Sequence, residues 1–357
     1  MKIDNVQKYP CRFLLIGDTS TPESLGRKLH ECAISLNLDI TVSYTSPAPI
    51  FSPSMAHLPG KIFYRLADRR SWEWWSYQAS LIQLIDDLRP ELVLVTGICP
   101  LDQRVFNCVK TNNGKIFNWL TDDPWNPIHK RQSFLANLPH YDHIFSTKQS
   151  LQQRLLFAGV ISTSWLPFAY HPPLHYPPLP SDLGDKELFF SDISFVGTGA
   201  RERLPWLAAA RRAADINGAT CRLYGGSWDR INTPGWQRKN VVQGTQYCKA
   251  LFHARIVLGL LRASNHDKST DRSYEIGAIG ACGLMQDSDE HRVLLPGYPD
   301  EGFFTTPENL TTQATILLQD DDLCMDLRRL GLNSMNSSVH TYKARLLSIL
   351  QWWCQHQ

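Results

Sequence analysis

The chain has 357 residues, a length that suits two domains of ordinary size better than one. Hydrophobic residues make up 43% and charged residues 20% of the sequence, which excludes a disordered chain. The formal net charge of +2 gives no electrostatic basis for wrapping nucleic acid, so we expect no nucleic-acid partner.

The N-terminus and the cysteines indicate a cellular location. Residues 1–18 contain an apolar run of only a few residues, too short for a signal peptide or a membrane span. The nine cysteines are odd in number, and no two have the spacing of a metal site or redox motif. We therefore expect a cytoplasmic protein without a membrane span. The cluster SWEWW (Ser71–Trp75) leaves peripheral membrane contact open. The alternatives are that these tryptophans pack in the core or line a binding site.

The first half of the chain alternates short apolar runs with helical patterns. In chain order, the predicted strands are Arg12–Gly17, Asp39–Thr45, Glu91–Gly97, Lys115–Thr121 and His143–Lys148. Between them, apolar residues recur at helical spacing within Pro22–Leu38, Tyr77–Arg89 and Ser150–Gly159. This alternation predicts βαβ crossovers and a parallel sheet that is covered on both faces.

A proline-rich segment, Pro167–Asp192, follows the first half and has neither helical nor strand periodicity. It predicts an extended linker between domains, with a long loop inside one domain as the alternative. We therefore predict an N-terminal Rossmann-like domain over 1–168, a linker over 169–191 and a C-terminal Rossmann-like domain over 192–340. The last residues, 341–357, predict a helix, for which packing back on the first domain is one arrangement.

The second half repeats the alternation of strands and helices. Its predicted strands are Asp192–Gly199, Thr220–Gly226, Arg255–Arg262 and Cys282–Asp287. Its predicted helices lie in Ala200–Gly218, Gln246–Ala254, the small-residue stretch after Ser269, Thr311–Leu332 and Thr341–Cys354. Two doubly wound α/β domains are the fold that this pattern predicts.

In the second half, three of the loops that follow predicted strands, here called strand exits, carry residues suited to binding an anion. Such folds bind ligands at this edge of the sheet. At the first, Gly197 and Gly199 precede Arg201 and Arg203 at a predicted helix start. Glycines let backbone N–H groups approach a phosphate, the helix N-terminus favours an anion, and a guanidinium can bind it. Arginines that are merely solvated on a first helical turn are the alternative interpretation.

The other two exits add to this pattern. The second carries Tyr224 and Gly225, and the third carries Arg262 and Arg272 around a predicted N-cap at Ser269 or Thr270. Each exit alone favours an ordinary turn. Together, three glycine-rich or cationic corners that converge would suit one diphosphate and therefore a nucleotide-type ligand.

An ordered series of segments in the second half resembles a known family. The segments are DISFVGTGARERLPWL, YGGSW, RSYEIGAIGACGLMQ, EGFFTTPENL and HTYKAR. The series is similar to glycosyltransferases of the spore-maturation-protein (CgeB-type) group within the GT-B superfamily, and it covers most of Asp192–Leu350. The first half resembles the group more loosely, through its strand pattern and NWLTDDPWNP. The resemblance implies a GT-B fold, with two Rossmann-like domains facing a cleft, the acceptor mainly in the first domain, the nucleotide-sugar donor in the second, and no obligatory metal or other cofactor.

The same resemblance implies roles for residues of the donor domain. Glu275 lies where the family has an acid that binds the donor ribose hydroxyls in related enzymes. Asp267 precedes it at the seven-residue interval of a retaining acid pair, with helix capping as the alternative, so retention and inversion both stay open. The predicted donor-binding set is Gly197, Gly199, Arg201, Arg203, Tyr224, Gly225, Arg262, Arg272, Tyr274 and Glu275. The arginines would stabilise charge on the leaving diphosphate.

Two acids of the first half are candidates for catalysis. Asp122 and Asp123 follow the predicted strand Lys115–Thr121, and either could be the general base or position the acceptor hydroxyl. An Asp-Asp-Pro turn is an equal alternative, because Asp before Pro favours turns. The neighbouring Trp119 and Trp125 could stack on a sugar, with core packing as the alternative.

Together with the candidate residues, the resemblance implies a glycosyltransferase. It would move a sugar, without a metal, from a nucleotide diphosphate-sugar to a hydroxyl of an acceptor in the interdomain cleft. A nucleotide-sugar epimerase or hydrolase of the same fold and a non-catalytic sugar-nucleotide-binding protein are the alternatives. We predict no metal site, because the candidate histidines lack zinc spacing or lie in the proline-rich segment.

Overall fold

A computed structural model describes residues 9–10, 12–44, 53–179 and 185–357 of the chain. Contacts divide the chain into two units: unit 1 comprises Met1–Pro167 and Tyr342–Gln357, and unit 2 comprises Phe168–Thr341. The described part of the predicted linker therefore counts with unit 2, and the predicted last helix counts with unit 1 apart from Thr341. Thr45 of the second predicted strand and residues 180–184 of the predicted linker lie outside the described residues.

Unit 1 contains one six-stranded sheet in which all neighbouring strands are parallel. Its strands are β1 (Phe13–Gly17), β2 (Ile40–Tyr44), β3 (Leu92–Thr96), β4 (Lys115–Leu120), β5 (His143–Ser146) and β6 (Thr163–Trp165), in the order β2-β1-β3-β4-β5-β6. Its helices are α1 (Leu25–Ser35), α2 (Leu58–Leu66), α3 (Glu73–Leu88), α4 (Gln103–Thr111), α5 (Gln132–Asn137), α6 (Gln152–Phe157) and, at the end of the chain, α14 (Tyr342–Gln355).

The central strands of unit 1 are buried on both faces. All five residues of β1 and the first four of β3 are buried, although successive side chains point to opposite sides of a sheet. A continuous apolar run such as Leu92–Val95 is therefore stable only where helices cover both faces, as in a parallel α/β sheet.

Unit 2 has the same architecture. Its six parallel strands are β7 (Ser191–Val196), β8 (Cys221–Tyr224), β9 (Trp236–Lys239), β10 (Ala254–Gly259), β11 (Gly283–Gln286) and β12 (Phe303–Phe304), in the order β12-β11-β10-β7-β8-β9. Its helices are α7 (Lys186–Phe189), α8 (Leu204–Asn217), α9 (Thr245–Phe252), α10 (Asp271–Ile279), α11 (Asp289–Leu294), α12 (Pro307–Gln319) and α13 (Asp321–Met335). The predicted α/β class with doubly wound parallel sheets is confirmed in both units.

One predicted helix of unit 2 is interrupted. The pattern over Thr311–Leu332 forms two helices that meet at Asp320, which has extended backbone angles and accepts a hydrogen bond of 2.9 Å from the N–H of Leu323. This is N-capping, which competes with a continuous helix because the carboxylate satisfies a donor of the new first turn.

No helix in the part of the chain that the structure describes has both the length and the apolar character needed to cross a membrane.

Candidate functional site

Arg203, which follows β7, packs back against that strand and the loop after it. The Arg203 side chain is buried, donates a hydrogen bond to the carbonyl oxygen of Thr198, and lies 4.9 Å from the ring centroid of Phe195. A Cβ added at Gly197 would come within 3.1 Å of the Arg203 Nη1 atom. Glycine at 197 therefore leaves the space that the guanidinium occupies.

The glycines of the first two exits let the loops pack backbone to backbone. The N–H groups of Gly197 and Gly199 donate to the carbonyl oxygens of Tyr224 and Gly226, at 2.9 and 2.8 Å. A Cβ added at Gly225 would lie 2.2 Å from the Gly197 oxygen. The sequence pattern predicts that these two N–H groups face a phosphate. In the structure they are instead hydrogen-bonded inside the protein.

The third exit leads into helix α10, whose N-terminus is fixed by a capping box. The Thr270 side chain accepts from the backbone N–H of Ser273, and the Ser273 hydroxyl accepts from the N–H of Thr270 at 2.9 Å. Ser273 also lies 2.7 Å from His291 Nε2, which ties the first turn to the neighbouring helix α11. The capped turn carries Arg272 and Glu275 in fixed positions.

Glu275 is a buried carboxylate, 4% exposed, and a protein side chain lies beside each of its oxygens. The Tyr247 hydroxyl of α9 donates to Oε2, and His175 Nε2 lies 3.3 Å from Oε1. Arg272 Nε lies 3.8 Å from Oε2 and donates to the Tyr247 oxygen at 2.9 Å. Three separate segments of unit 2 therefore converge on one carboxylate.

The charges of this network determine which groups are protonated. Burial raises the pKa of Tyr247 well above its usual value, and Glu275 adds to this effect against the opposing charge of Arg272. The hydroxyl therefore remains a donor at neutral pH. Burial opposes the charge of Arg272, but Tyr247 and Glu275 outweigh it and raise the pKa of Arg272.

Arg203 lies close enough to Arg262 and Arg272 for their positive charges to act on it. Burial, and then the positive charges of Arg272 and Arg262, lower the pKa of Arg203 to about 10, while Glu202 and Asp267 act in the opposite direction. Among the described residues, the buried Nε of Arg203 has no hydrogen-bond partner. A buried donor in a cationic cluster is stabilised by an anion, so this corner of unit 2 has the chemistry of an anion site.

Two acids hold the surrounding loops in place. Glu202 accepts from the N–H and the hydroxyl of Ser264, at 3.1 and 2.8 Å, and so connects the exits of β7 and β10. Asp267 accepts from the N–H of Arg262 at 3.3 Å and from Asn265 Nδ2 at 2.9 Å. These two contacts of Asp267 order its own loop.

The predicted donor residues thus fall into different environments. Arg203, Arg262, Arg272 and Glu275 are brought together. Arg201 is exposed, and its side chain makes no hydrogen bond or ion pair with the described residues. Tyr224 and Tyr274 are buried in the core of unit 2, and the Tyr224 hydroxyl has no hydrogen-bond partner among the residues described.

Sequence reasoning missed His175, Tyr247 and Glu202. His175 lies in the proline-rich segment, where no periodicity indicates burial, yet it is 3% exposed. Tyr247 was visible only as an apolar position of a predicted helix. The one signal for Glu202 was its place between Arg201 and Arg203, since an acid between two arginines at a strand exit can contact a neighbouring loop.

The two candidate catalytic acids of unit 1 follow β4 and differ from each other. Asp123 is 1% exposed, and its Oδ1 accepts from the N–H of Trp125 at 2.9 Å, which closes the Asp-Pro turn. Asp122 is 32% exposed, and its Oδ1 lies 3.7 Å from Nε2 of His129. The turn accounts for the position of Asp123, whereas Asp122 has a carboxylate near the surface beside an imidazole.

The two tryptophans near these acids also differ. Trp119 is fully buried, donates to the Leu166 oxygen at 3.1 Å, and packs 5.8 Å from the ring of Tyr342. Core packing, the alternative to sugar stacking, therefore explains Trp119. Trp125 is partly exposed, with the Arg154 guanidinium 4.2 Å above its ring.

In the described ranges, no group of three or more His, Cys, Asp or Glu side chains is placed to hold a metal ion.

Comparison with known proteins finds a family match over the residues of this site. Residues 201–351 match a family model described as glycosyl transferase-like, and this range contains the arginine cluster and Glu275. No curated protein matches the chain.

Solved structures resemble the chain over nearly its whole length. Sucrose-phosphate synthase from Thermosynechococcus elongatus superposes with a TM-score of 0.66 at 12% identity, covering 96% of this chain and 98% of that one. The DNA-modifying β-glucosyltransferase, solved with and without uridine diphosphoglucose, gives 0.59 at 12% identity, covering 96% and 99%. The chain has the GT-B fold. A candidate UDP-N-acetylglucosamine 2-epimerase from Listeria monocytogenes gives 0.55 at 12% identity, covering 96% and 95%. At such identities the likeness concerns the fold.

Proposed function

We propose that this protein is a glycosyltransferase that takes its sugar from a nucleotide diphosphate-sugar bound by unit 2. The observation that carries this proposal is the convergence of Arg203, Arg262 and Arg272 beside the buried carboxylate of Glu275. The glycosyl transferase-like match over the same residues supports it, as do GT-B neighbours whose descriptions name a UDP-sugar.

The arginine cluster would bind the diphosphate of the donor. In the transfer, the bond from the anomeric carbon to the phosphate oxygen breaks, and negative charge develops on the nucleoside diphosphate that leaves. Guanidinium groups already in place stabilise that charge without reorganisation, and they bind phosphate oxygens with two parallel hydrogen bonds. We therefore propose that the leaving group needs no metal ion.

Glu275 would bind hydroxyl groups of the donor, and we assign it to the ribose. A carboxylate accepts hydrogen bonds from two neighbouring hydroxyls, which suits a diol. The Tyr247 hydroxyl donates to one of its oxygens and His175 lies 3.3 Å from the other, so the carboxylate would not need to be ordered when the donor binds.

The acceptor would be activated by unit 1. We propose that the Asp122 carboxylate takes the proton of the acceptor hydroxyl as its oxygen forms a bond to the anomeric carbon. Asp122 is preferred to Asp123 because Asp123 is buried and its carboxylate closes a turn.

Two finer assignments belong to the same proposal. Membership of the CgeB-type group rests on the ordered series of segments in the second half of the chain. A cytoplasmic location is supported by the cysteines, since the eight within the described residues are all free thiols.

Nucleotide binding tests the donor site. UDP, GDP, ADP and dTDP are screened by thermal shift, and the best ligand is titrated by calorimetry against the wild type and Glu275→Gln. We expect the variant to bind about tenfold to a hundredfold more weakly, because it loses a charged acceptor. Glu308→Gln, at an exposed position of α12, is the matched control. Unchanged affinity in a folded Glu275→Gln protein would remove the donor assignment.

Product analysis separates transfer from the two alternatives. The donor is incubated first alone and then with a panel of hydroxyl acceptors. A sugar found on an acceptor supports transfer. An epimer or free sugar formed without acceptor would identify an epimerase or hydrolase, and binding without any turnover would identify a sugar-nucleotide-binding protein.

A further inference from the structure

Helix α2 in unit 1 presents an apolar stripe to solvent. Leu58, Ile62 and Leu66 are 71%, 50% and 82% exposed, and their spacing of four residues places them on one face. Within this helix, only Gly60 is buried, and a Cβ added there would lie 1.8 Å from the Ser54 oxygen. Close packing at Gly60 therefore fixes the helix with its apolar stripe outward. Adjacent exposed aliphatic residues of this size mark an interaction surface.

The same exposed side of α2 carries positive charge. Lys61 and Arg65 follow Leu58 by three and seven residues, which places them beside the apolar stripe. The helix sequence, LPGKIFYRL, contains no acidic residue. Next to it lies a pocket of about 520 Å³ whose lining contains three cationic side chains and no acid: Met55, Lys61, Tyr64, Arg65 and Arg69.

The nearest acids in the sequence are engaged within unit 1. Asp68 accepts from the backbone N–H groups of Gln132 and Ser133, at 2.8 and 2.7 Å. Glu73 accepts from the N–H and the hydroxyl of Ser54, at 2.7 and 2.6 Å. Their carboxylates are therefore held against the protein, and the outer surface of α2 stays basic.

Aromatic residues extend the surface. Trp72 and Trp75 are 49% and 38% exposed, and both pack on the ring of Phe63 in α2, with centroids 5.6 and 5.5 Å away. Indole rings favour the boundary between lipid headgroups and hydrocarbon, because one edge is polar and the body is apolar.

We propose that α2 docks on the surface of a bilayer that contains anionic phospholipids. Leu58, Ile62 and Leu66 would enter the boundary between headgroups and acyl chains, and Lys61 and Arg65 would bind lipid phosphates at the mouth of the basic pocket. A helix with an apolar face and adjacent Lys and Arg has the composition of an interfacial helix. The charge complementarity selects an anionic over a neutral membrane.

Vesicle flotation of the full chain tests the proposal. Vesicles of phosphatidylcholine alone are compared with vesicles that contain phosphatidylglycerol as well, at low and at high salt. We expect flotation only with the anionic vesicles, and weaker flotation at high salt. Lys61→Gln with Arg65→Gln should lower partitioning by about fivefold for each charge removed. Ile62→Glu should abolish it.

Matched controls distinguish this surface from others. Arg212→Gln with Lys239→Gln removes two exposed charges from unit 2, and Phe157→Glu changes a side chain that is 90% exposed in α6. Both controls should float like the wild type. Equal binding to neutral vesicles, loss of binding in a control, or full binding by Ile62→Glu would overturn the proposal. If Ile62→Glu fails to fold, the result with the Lys61 and Arg65 pair decides.

Discussion

Each of the two units has a sheet of six parallel strands, but the exits of their central strands differ in what their polar residues do. In unit 1, the exit of β4 uses the Asp123 carboxylate to close a turn. In unit 2, the exits of β7 and β10 are joined by Glu202, and the positive charges of Arg262 and Arg272 act on Arg203. Polar residues at the strand exit of unit 1 thus close a turn, whereas those of unit 2 bring positive charge together, and on that difference we base the proposed ligand site.

Asp122 offers the largest test of this comparison, because it asks whether unit 1 takes part in the chemistry. Asp122→Asn should lower the turnover rate by about 10²- to 10⁴-fold, the usual contribution of a general base. Nucleotide affinity should not change. Asp87→Asn, at an exposed position of α3, is the control for removal of a charge. A rate within a factor of two of the wild type would assign Asp122, like Asp123, to a structural role.

The two tryptophans near the end of β4 test which side chains there are structural, through their effect on the free energy of unfolding. Trp119→Ala should lower the free energy of unfolding by about 3–5 kcal/mol, because it empties a fully buried site. Trp125→Ala should lower it by less, since this ring is partly exposed and loses mainly its contact with Arg154. Denaturant unfolding measures both values. Equal losses would contradict the assignment of only Trp119 to the core.

Acid should weaken both units, because each buries a neutral imidazole. Burial lowers the pKa of His143 and of His291 from 6.5 to about 4. Between these values the unfolded chain binds more protons than the folded one. The free energy of unfolding is therefore highest above pH 6.5 and falls as the pH drops toward 4. At pH 5, each histidine should have lowered it by roughly 2 kcal/mol.

Unfolding at pH 7 and pH 5 measures this effect, with His143→Gln and His291→Gln as variants. In each variant, the difference in the free energy of unfolding between pH 7 and pH 5 should be smaller by the amount that the replaced histidine contributes. A pH dependence as steep as that of the wild type would show that the imidazole is not kept neutral by burial.

Sequence patterns predicted those helices and strands whose signals lie within a few consecutive residues. The apolar runs of β1, β3 and β10 and the N-cap of α10 are local signals, and the structure has them where the sequence indicated. The edge strand β9 was missed because three of its four residues are exposed and polar. Helix α2 was missed because Pro59 and Gly60 favour a turn, whereas Pro fits a first helical turn and Gly60 packs against Ser54.

The candidate site was predictable only in part, for a similar reason. The arginines and Glu275 lie at strand exits, whose position follows from the alternation of elements. The contacts of His175 and Tyr247 with Glu275 join segments that are 100 and 28 residues apart in sequence. No local pattern indicates such contacts, because they depend on how the loops pack.

The most direct test of the central claim, that the arginine cluster of unit 2 binds the diphosphate, is a comparison of Arg203→Gln with Arg201→Gln. Calorimetry measures the affinity of each variant for the preferred nucleoside diphosphate and for the nucleoside without phosphate. Arg203→Gln should weaken diphosphate binding by about tenfold to a hundredfold and leave nucleoside binding unchanged, since a charge-assisted hydrogen bond is lost. Arg201→Gln should have little effect on either ligand. Equal loss of both ligands, or no loss in a folded Arg203→Gln protein, would contradict the account.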